Sequence, residues 1–161
     1  MNENYSKVDS AKHSYQVLKN LSIYGLVFFI ACFVISTLFH FYAKSAIIKS
    51  FLLSSSILSF LVILLDCWPS YKKIKQLGDS NLDRNVFSSL APEIKTEESK
   101  IHLISLVPLI SIMTLLICGY FKLTDFYGVL LAATAVGGIF LAFELVQNYL
   151  LDILDHELKK P

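Results

Sequence analysis

Four long apolar stretches separated by shorter polar ones set the pattern of this chain: Leu21 to Tyr42, Ile47 to Leu65, Ile101 to Phe121 and Phe126 to Val146. About 20 apolar residues is the length an α-helix needs to cross the hydrocarbon of a bilayer. A backbone in lipid must satisfy its own hydrogen bonds, so runs of this length predict helices. The links at Ala43–Ala46 and Lys122–Asp125 are too short for anything but antiparallel neighbours. The expected fold is therefore an all-α integral membrane protein whose four transmembrane helices form two antiparallel hairpins in an up-down-up-down bundle.

The pattern divides the chain into an N-terminal segment (1–20), hairpin 1 (21–66), a polar connecting segment (67–100), hairpin 2 (101–147) and an amphipathic C-terminal segment (148–161). In the connecting segment, Tyr71, Ile74 and Leu77 recur at a helical spacing, as do Leu82, Val86 and Phe87. Short helices there would lay those side chains on the membrane surface and turn lysines toward headgroups. The alternative is a solvated connector with ordinary juxtamembrane lysines. Gly78 is expected to end the first short helix, and Pro92 with Glu93 to begin the next.

Composition agrees with the pattern: 55% of residues are hydrophobic and 17% charged, against roughly 25% charged in a soluble domain. A body of 161 residues could not hide four such runs from water. The net charge of +1 conceals an asymmetry that sets orientation. Lys7, Lys12 and Lys19 precede the first run; Lys72, Lys73, Lys75, Arg84, Lys95 and Lys100 lie between the second and third; Lys159 and Lys160 follow the fourth. The two short links carry only Lys44, Lys49 and Lys122. By the positive-inside rule, both termini and the connecting segment face the cytoplasm of what reads as a bacterial inner membrane. Tyr42, Tyr120, Phe126 and Tyr127 at one border, and Trp68 and Tyr71 at the other, fit interfacial anchors.

The opening MNENYSKVDSAKHSYQ lacks the basic head, short apolar core and small-residue cleavage site of a signal peptide, so the first run is expected to be a retained helix. Cys32 and Cys118 sit inside apolar runs and Cys67 at a border, positions that suit packing rather than a disulfide.

Candidate chemistry is sparse. Ala133 and Gly137, and Gly138 and Ala142, are small residues four apart, a spacing that lets helix backbones approach closely in lipid. Gly137, Glu144 and Asn148 share a helical face that Asp152 and Asp155 extend. An ionisable group at mid-bilayer costs on the order of 3 kcal/mol, less near the headgroups where Glu144 falls. Glu144, Gln147 and Asn148 are thus candidates for a polar interaction face or a cation-attracting mouth, with Asp66 close by if helices two and four are neighbours. An interfacial carboxylate beginning an amphipathic helix is the plainer reading. Ser54, Ser55, Ser56 and Ser59 are expected to hydrogen-bond within the bundle. Gly25, Cys32, Ser36 and His40 share one face of the first helix, and Ser111, Thr114 and Cys118 one face of the third. His40 has no second metal ligand nearby in sequence, and Pro108 frees the carbonyl of Ile104.

The sequence holds no phosphate-binding glycine loop, paired-cysteine metal motif, His-Glu-x-x-His or nucleophile elbow. No cofactor, metal, catalytic residue or nucleic-acid partner is expected. The leading expectation is a non-enzymatic protein that packs against a membrane partner. Four short-linked helices with both ends cytoplasmic resemble the immunity proteins for pore-forming bacteriocins in topology, without a shared motif, and the resemblance implies a membrane-inserted toxin as one such partner. The competing expectation is a homo-oligomeric pore or membrane-disrupting effector whose path is lined by the Gly137–Asp155 face.

Overall fold

The computed structural model describes residues 2–95, 98–123 and 125–159, with side chains placed for 10–95, 106–123 and 125–159. Helix α1 spans Asn2–His40, α2 Ala46–Val62, α3 Trp68–Asp79, α4 Arg84–Ile94, α5 Glu98–Tyr120 and α6 Tyr127–Lys159. A single π-helical turn, Ile63–Cys67, joins α2 to α3 without a break, so the described residues form five helical rods and no strand. Among the described residues three rods are long and apolar enough to cross a membrane: Ser10–His40 within α1, Ala46–Asp79, and Tyr127–Lys159. Large apolar side chains such as Val27, Ile30, Ile57, Leu61, Leu116 and Ile117 face outward along the rods. That surface is suited to lipid and would be a liability in water. The chain is an all-helical protein of membrane type.

The expected count of four helices is thus corrected to five. The third apolar run lies in α5, of which Leu106–Tyr120 is described as an apolar helix; Ile101 to Ser105 lie outside the residues with described side chains. Among the described residues, helix α6 packs against α1, α2 and α5, and the contacts of α5 are with α6. The reason lies on α6. On one side Gly128 meets α2 so closely that a Cβ would collide with the Ile47 carbonyl, the Phe51 amide and Ser50. On another, Phe140 and Phe143 meet Phe29 of α1 at ring distances of 6.3 and 6.1 Å. On a third, Gly137 faces Val107 and Pro108 of α5.

The short tips, with His40 Nδ1 3.2 Å from the Lys49 carbonyl, share one end of the molecule. At the other end the rods run on together into a compact body. Ala11 and Leu18 of α1, Ile74 and Leu77 of α3, Phe87 and Ile94 of α4, and Leu151 and Leu154 of α6 form one buried cluster. Ser10 Oγ donates to Glu157 at 2.6 Å across it. The connecting helices therefore stand inward on their neighbours: Ile74 and Leu77 are fully buried, not laid on a membrane surface. Gly78 does not end α3 by taking a left-handed conformation. The turn uses Asn81 and Leu82 at φ 54° and 57°, and the Leu82 amide returns to the Leu77 carbonyl. Gly78 is small because the phenol of Tyr15 occupies the space a Cβ would need. Likewise α4 starts at Asp83, whose carboxylate accepts from the Asn85 amide at 2.9 Å, and Pro92 sits in its last turns.

Candidate functional site: a charged crevice at the end of the apolar spans

The π turn sets the position of Asp66. Pro69 has no amide hydrogen to give the Leu65 carbonyl, and its ring crowds that oxygen. The helix clears the ring by widening just before it, so that the Trp68 amide bonds the Ile63 carbonyl five residues back. The inserted residue shifts the faces of everything that follows, and it turns Asp66 toward α6 rather than lipid. There the Asp66 and Glu144 carboxyl groups come within hydrogen-bonding reach of each other. Ser70 Oγ lies 3.5 Å from Asp66 Oδ1.

Of the four residues expected to form a polar face, Asp66, Glu144 and Gln147 line one pocket. That pocket, of about 20 Å³, also takes in Ser22, Cys67 and Ser70, and Asn148 is buried one turn beyond Glu144 along α6. Glu144 is only 7% exposed, and so is Asn148. Both point into the protein. The acidic stripe expected beyond them does not form. The buried face of α6 continues through Leu151 and Leu154, while Asp152 turns outward to Lys95 and Asp155 to Lys159. The helix follows its aliphatic residues because the end body has a core to fill.

On its other side the carboxyl pair opens into a crevice of about 430 Å³. Its apolar wall is Leu58, Leu61, Val62 and Leu65 of the α2 rod with Phe140 of α6; its polar end adds Lys73, Glu93 and Lys95 to Asp66, Ser70 and Glu144. Lys73 pairs with Glu93 at 2.9 Å and Lys95 with Asp152 at 2.6 Å. Trp68 beside the crevice carries Lys72 over its ring at 5.0 Å, an arrangement at home among headgroups. Ser70, Lys73, Glu93 and Lys95 were not expected in a site. The first two had a signal: Asp66, Ser70 and Lys73 fall at i, i+4 and i+7, one helical face continuing out of an apolar run. Glu93 and Lys95 arrive by tertiary folding of α4.

The small residues divide. Gly137 admits Pro108 of α5 at ordinary contact distance, whereas a Cβ at Gly138 would meet open space. Ala133 is half-buried and Ala142 exposed, so Gly138 and Ala142 form no packing seam among the described residues. Among the glycines of α6 it is Gly128 that meets another helix's backbone, and with buried Ala132 it has the same four-residue spacing.

The bundle serines are buried at Ser55, Ser56 and Ser59. Ser56 meets Thr37 of α1 at 2.7 Å. Ser36, Ser111 and Cys118 also face inward, while His40 is half-buried at a tip. Among the described residues no three His, Cys, Asp or Glu side chains converge in a way that would hold a metal ion. No family model matches this chain, and neither the curated proteins nor the solved structures yield a match.

Proposed function

We propose that this chain is a non-enzymatic, multi-pass protein of a bacterial inner membrane, both ends cytoplasmic and α5 a fourth crossing, which acts by helix–helix interaction with a membrane partner. The observation that carries the reading is the one-sided attachment of α5. Among the described residues, this apolar helix leans on α6 and presents Leu109, Ile110, Met113, Leu116 and Ile117 outward. In lipid there is no hydrophobic gain from burying such a surface, so specific packing against another protein is what gives it a use. The inward direction of Glu144 and Asn148 weighs against the pore reading, since a conduction path along that face would have to dismantle the contact of α6 with the α2 rod.

Site-specific photo-crosslinking in cells tests the proposal. A photoreactive residue at Leu109, Met113 or Leu116 is expected to give a discrete protein adduct, while the same residue at Val27 or Ile30 of α1 gives none. Equal labelling at both helices, or no protein adduct at α5, would end the interaction reading. Steady single-channel conductance from the purified protein in planar bilayers would favour the pore instead.

A further inference from the structure

We infer that the face shared by α1 and α3 on the end body docks phospholipids of net negative charge, their phosphates held by Lys19, Lys72 and Lys75. The end-body helices pack in a ring, α1 on α3, α3 on α4, α4 on α6 and α6 on α1, so the α1–α3 face lies opposite the α4–α6 face. The lysines of the two faces differ in their partners. On α4 and α6, Lys95 pairs with Asp152 and Lys159 with Asp155, and at the crevice Lys73 pairs with Glu93. On α1 and α3, Lys12, Lys19, Lys72 and Lys75 have no carboxylate partner among the described residues. Lys12, Lys72 and Lys75 are exposed and Lys19 is half-buried. Unmatched charge of one sign on one face draws in an anion from outside the protein.

Helix geometry gathers these groups at headgroup depth. Trp68, Lys72 and Lys75 recur at i, i+4 and i+7 on the outer face of α3, and Lys12, Tyr15 and Lys19 at i, i+3 and i+7 on one face of α1. The two faces meet where the Tyr15 phenol lies against Gly78. Ser22 of α1 and Ser70 of α3 line the same small pocket, and a step of three residues from one and two from the other, away from the spans, reaches Lys19 and Lys72. Helical side chains lean toward the N-terminus of their helix, which for α3 is the membrane end, so Lys72 and Lys75 reach back toward the spans. Lys72 does so over the Trp68 ring, and Trp68 and Tyr71, with ring centres 6.2 Å apart, form an aromatic layer of the kind that sits among headgroups. Asp79, the acid of this face among the described residues, stands one turn beyond Lys75 and farther from the spans.

The occupant follows from the same arrangement. A phosphodiester accepts charge-assisted N–H bonds from two lysines at once, whereas a zwitterionic headgroup brings an ammonium of its own that competes with them. Leu64 and Leu65, outward on the rod just before Trp68, give the acyl chains an apolar wall. A soluble polyanion would meet the lysines but has no use for that wall, nor for cations that lean toward the membrane.

The test uses the full-length protein purified in mild detergent, with native mass spectrometry of lipid adducts. The probes are phosphatidylglycerol, phosphatidylethanolamine and phosphatidylcholine, all with the same acyl chains. Retention of phosphatidylglycerol is expected to exceed that of the two zwitterionic lipids by several-fold. Lys19→Gln combined with Lys75→Gln is expected to bring it down to their level. Lys95→Gln combined with Lys159→Gln, which removes the same charge from the opposite face, is expected to leave the preference intact. Equal retention of the three lipids by the unaltered protein would overturn the inference without needing any variant. So would an unchanged preference in a helical, monodisperse Lys19→Gln, Lys75→Gln protein, or an equal loss in both double variants, which would make net charge rather than this face the cause. Displacement of phosphatidylglycerol by a short RNA or an acidic peptide at constant ionic strength would assign the face to a soluble polyanion and overturn it too. The result is independent of whether α5 crosslinks to a partner protein.

Discussion

The two ends of the molecule are held together by different physics. In the end body, Leu18, Ile74, Leu77, Leu151 and Leu154 are fully buried, and aliphatic side chains from four helices share one core. Along the spans, Phe29 is the large side chain buried to that degree, and contact runs instead through Gly128, Ala132, Ser56 and Thr37. The end body behaves like a water-soluble domain, where hiding apolar area is worth about 25 cal/mol per Å². Lipid offers no such gain, so the spans associate through close backbone approach and interhelical hydrogen bonds. The crevice lined by Asp66 and Glu144 lies at the boundary between the two regions.

The sharpest way to break this comparison is to damage the end body. Leu154→Ala empties a fully buried site, and large-to-small changes of that kind cost about 2–5 kcal/mol. Denaturant unfolding of the purified protein should show the loss, with the span helices retaining their helicity after the end body has opened. Simultaneous loss of all helix would mean that the two regions are one cooperative unit.

A smaller effect separates two glycines within the spans. Gly128→Ala places a methyl against α2 backbone, which cannot move aside as a side chain could, and overpacking of this sort costs about 1–3 kcal/mol. Gly138→Ala meets open space and should leave the thermal midpoint unchanged or slightly raised, since alanine is the better helix former. Equal destabilisation by both would show that α6 packs on a face other than the one described.

The smallest effects belong to polar contacts. Ser56→Ala removes the hydrogen bond to Thr37, and such bonds between membrane helices average about 0.6 kcal/mol. A double-mutant cycle with Thr37→Val should return a coupling of that size. A coupling several times larger would mean that polar bonds rather than close packing hold α1 to α2.

Asp66 and Glu144 were legible as polar groups at the ends of their apolar runs, and even their meeting followed if helices two and four were neighbours. Nothing in the spacing placed Lys95 beside Asp152, because α4 folds back from a turn built on two left-handed residues, Asn81 and Leu82. The stripe from Glu144 through Asp155 was misread for a related reason. Helical geometry puts those residues on one side, but which side of α6 is buried depends on Leu151 and Leu154 finding Leu77 and Phe87. Gly138 and Gly128 show the same limit: small residues at four-residue spacing mark several faces, and only the partner helix selects one.

What the amino-acid order determined by itself is the helical, membrane-type character of the chain and the ends of its apolar runs, since both follow from local hydrogen bonding and from transfer of apolar side chains out of water. Tertiary structure alone decided that α6 is the central helix, that the described part of α5 packs on it, and that the rod after the π turn carries Asp66 to the same crevice as Glu144. Those choices depend on shape complementarity between surfaces far apart in sequence, and in lipid, where all apolar faces are nearly equal in free energy, no local pattern ranks one pairing above another.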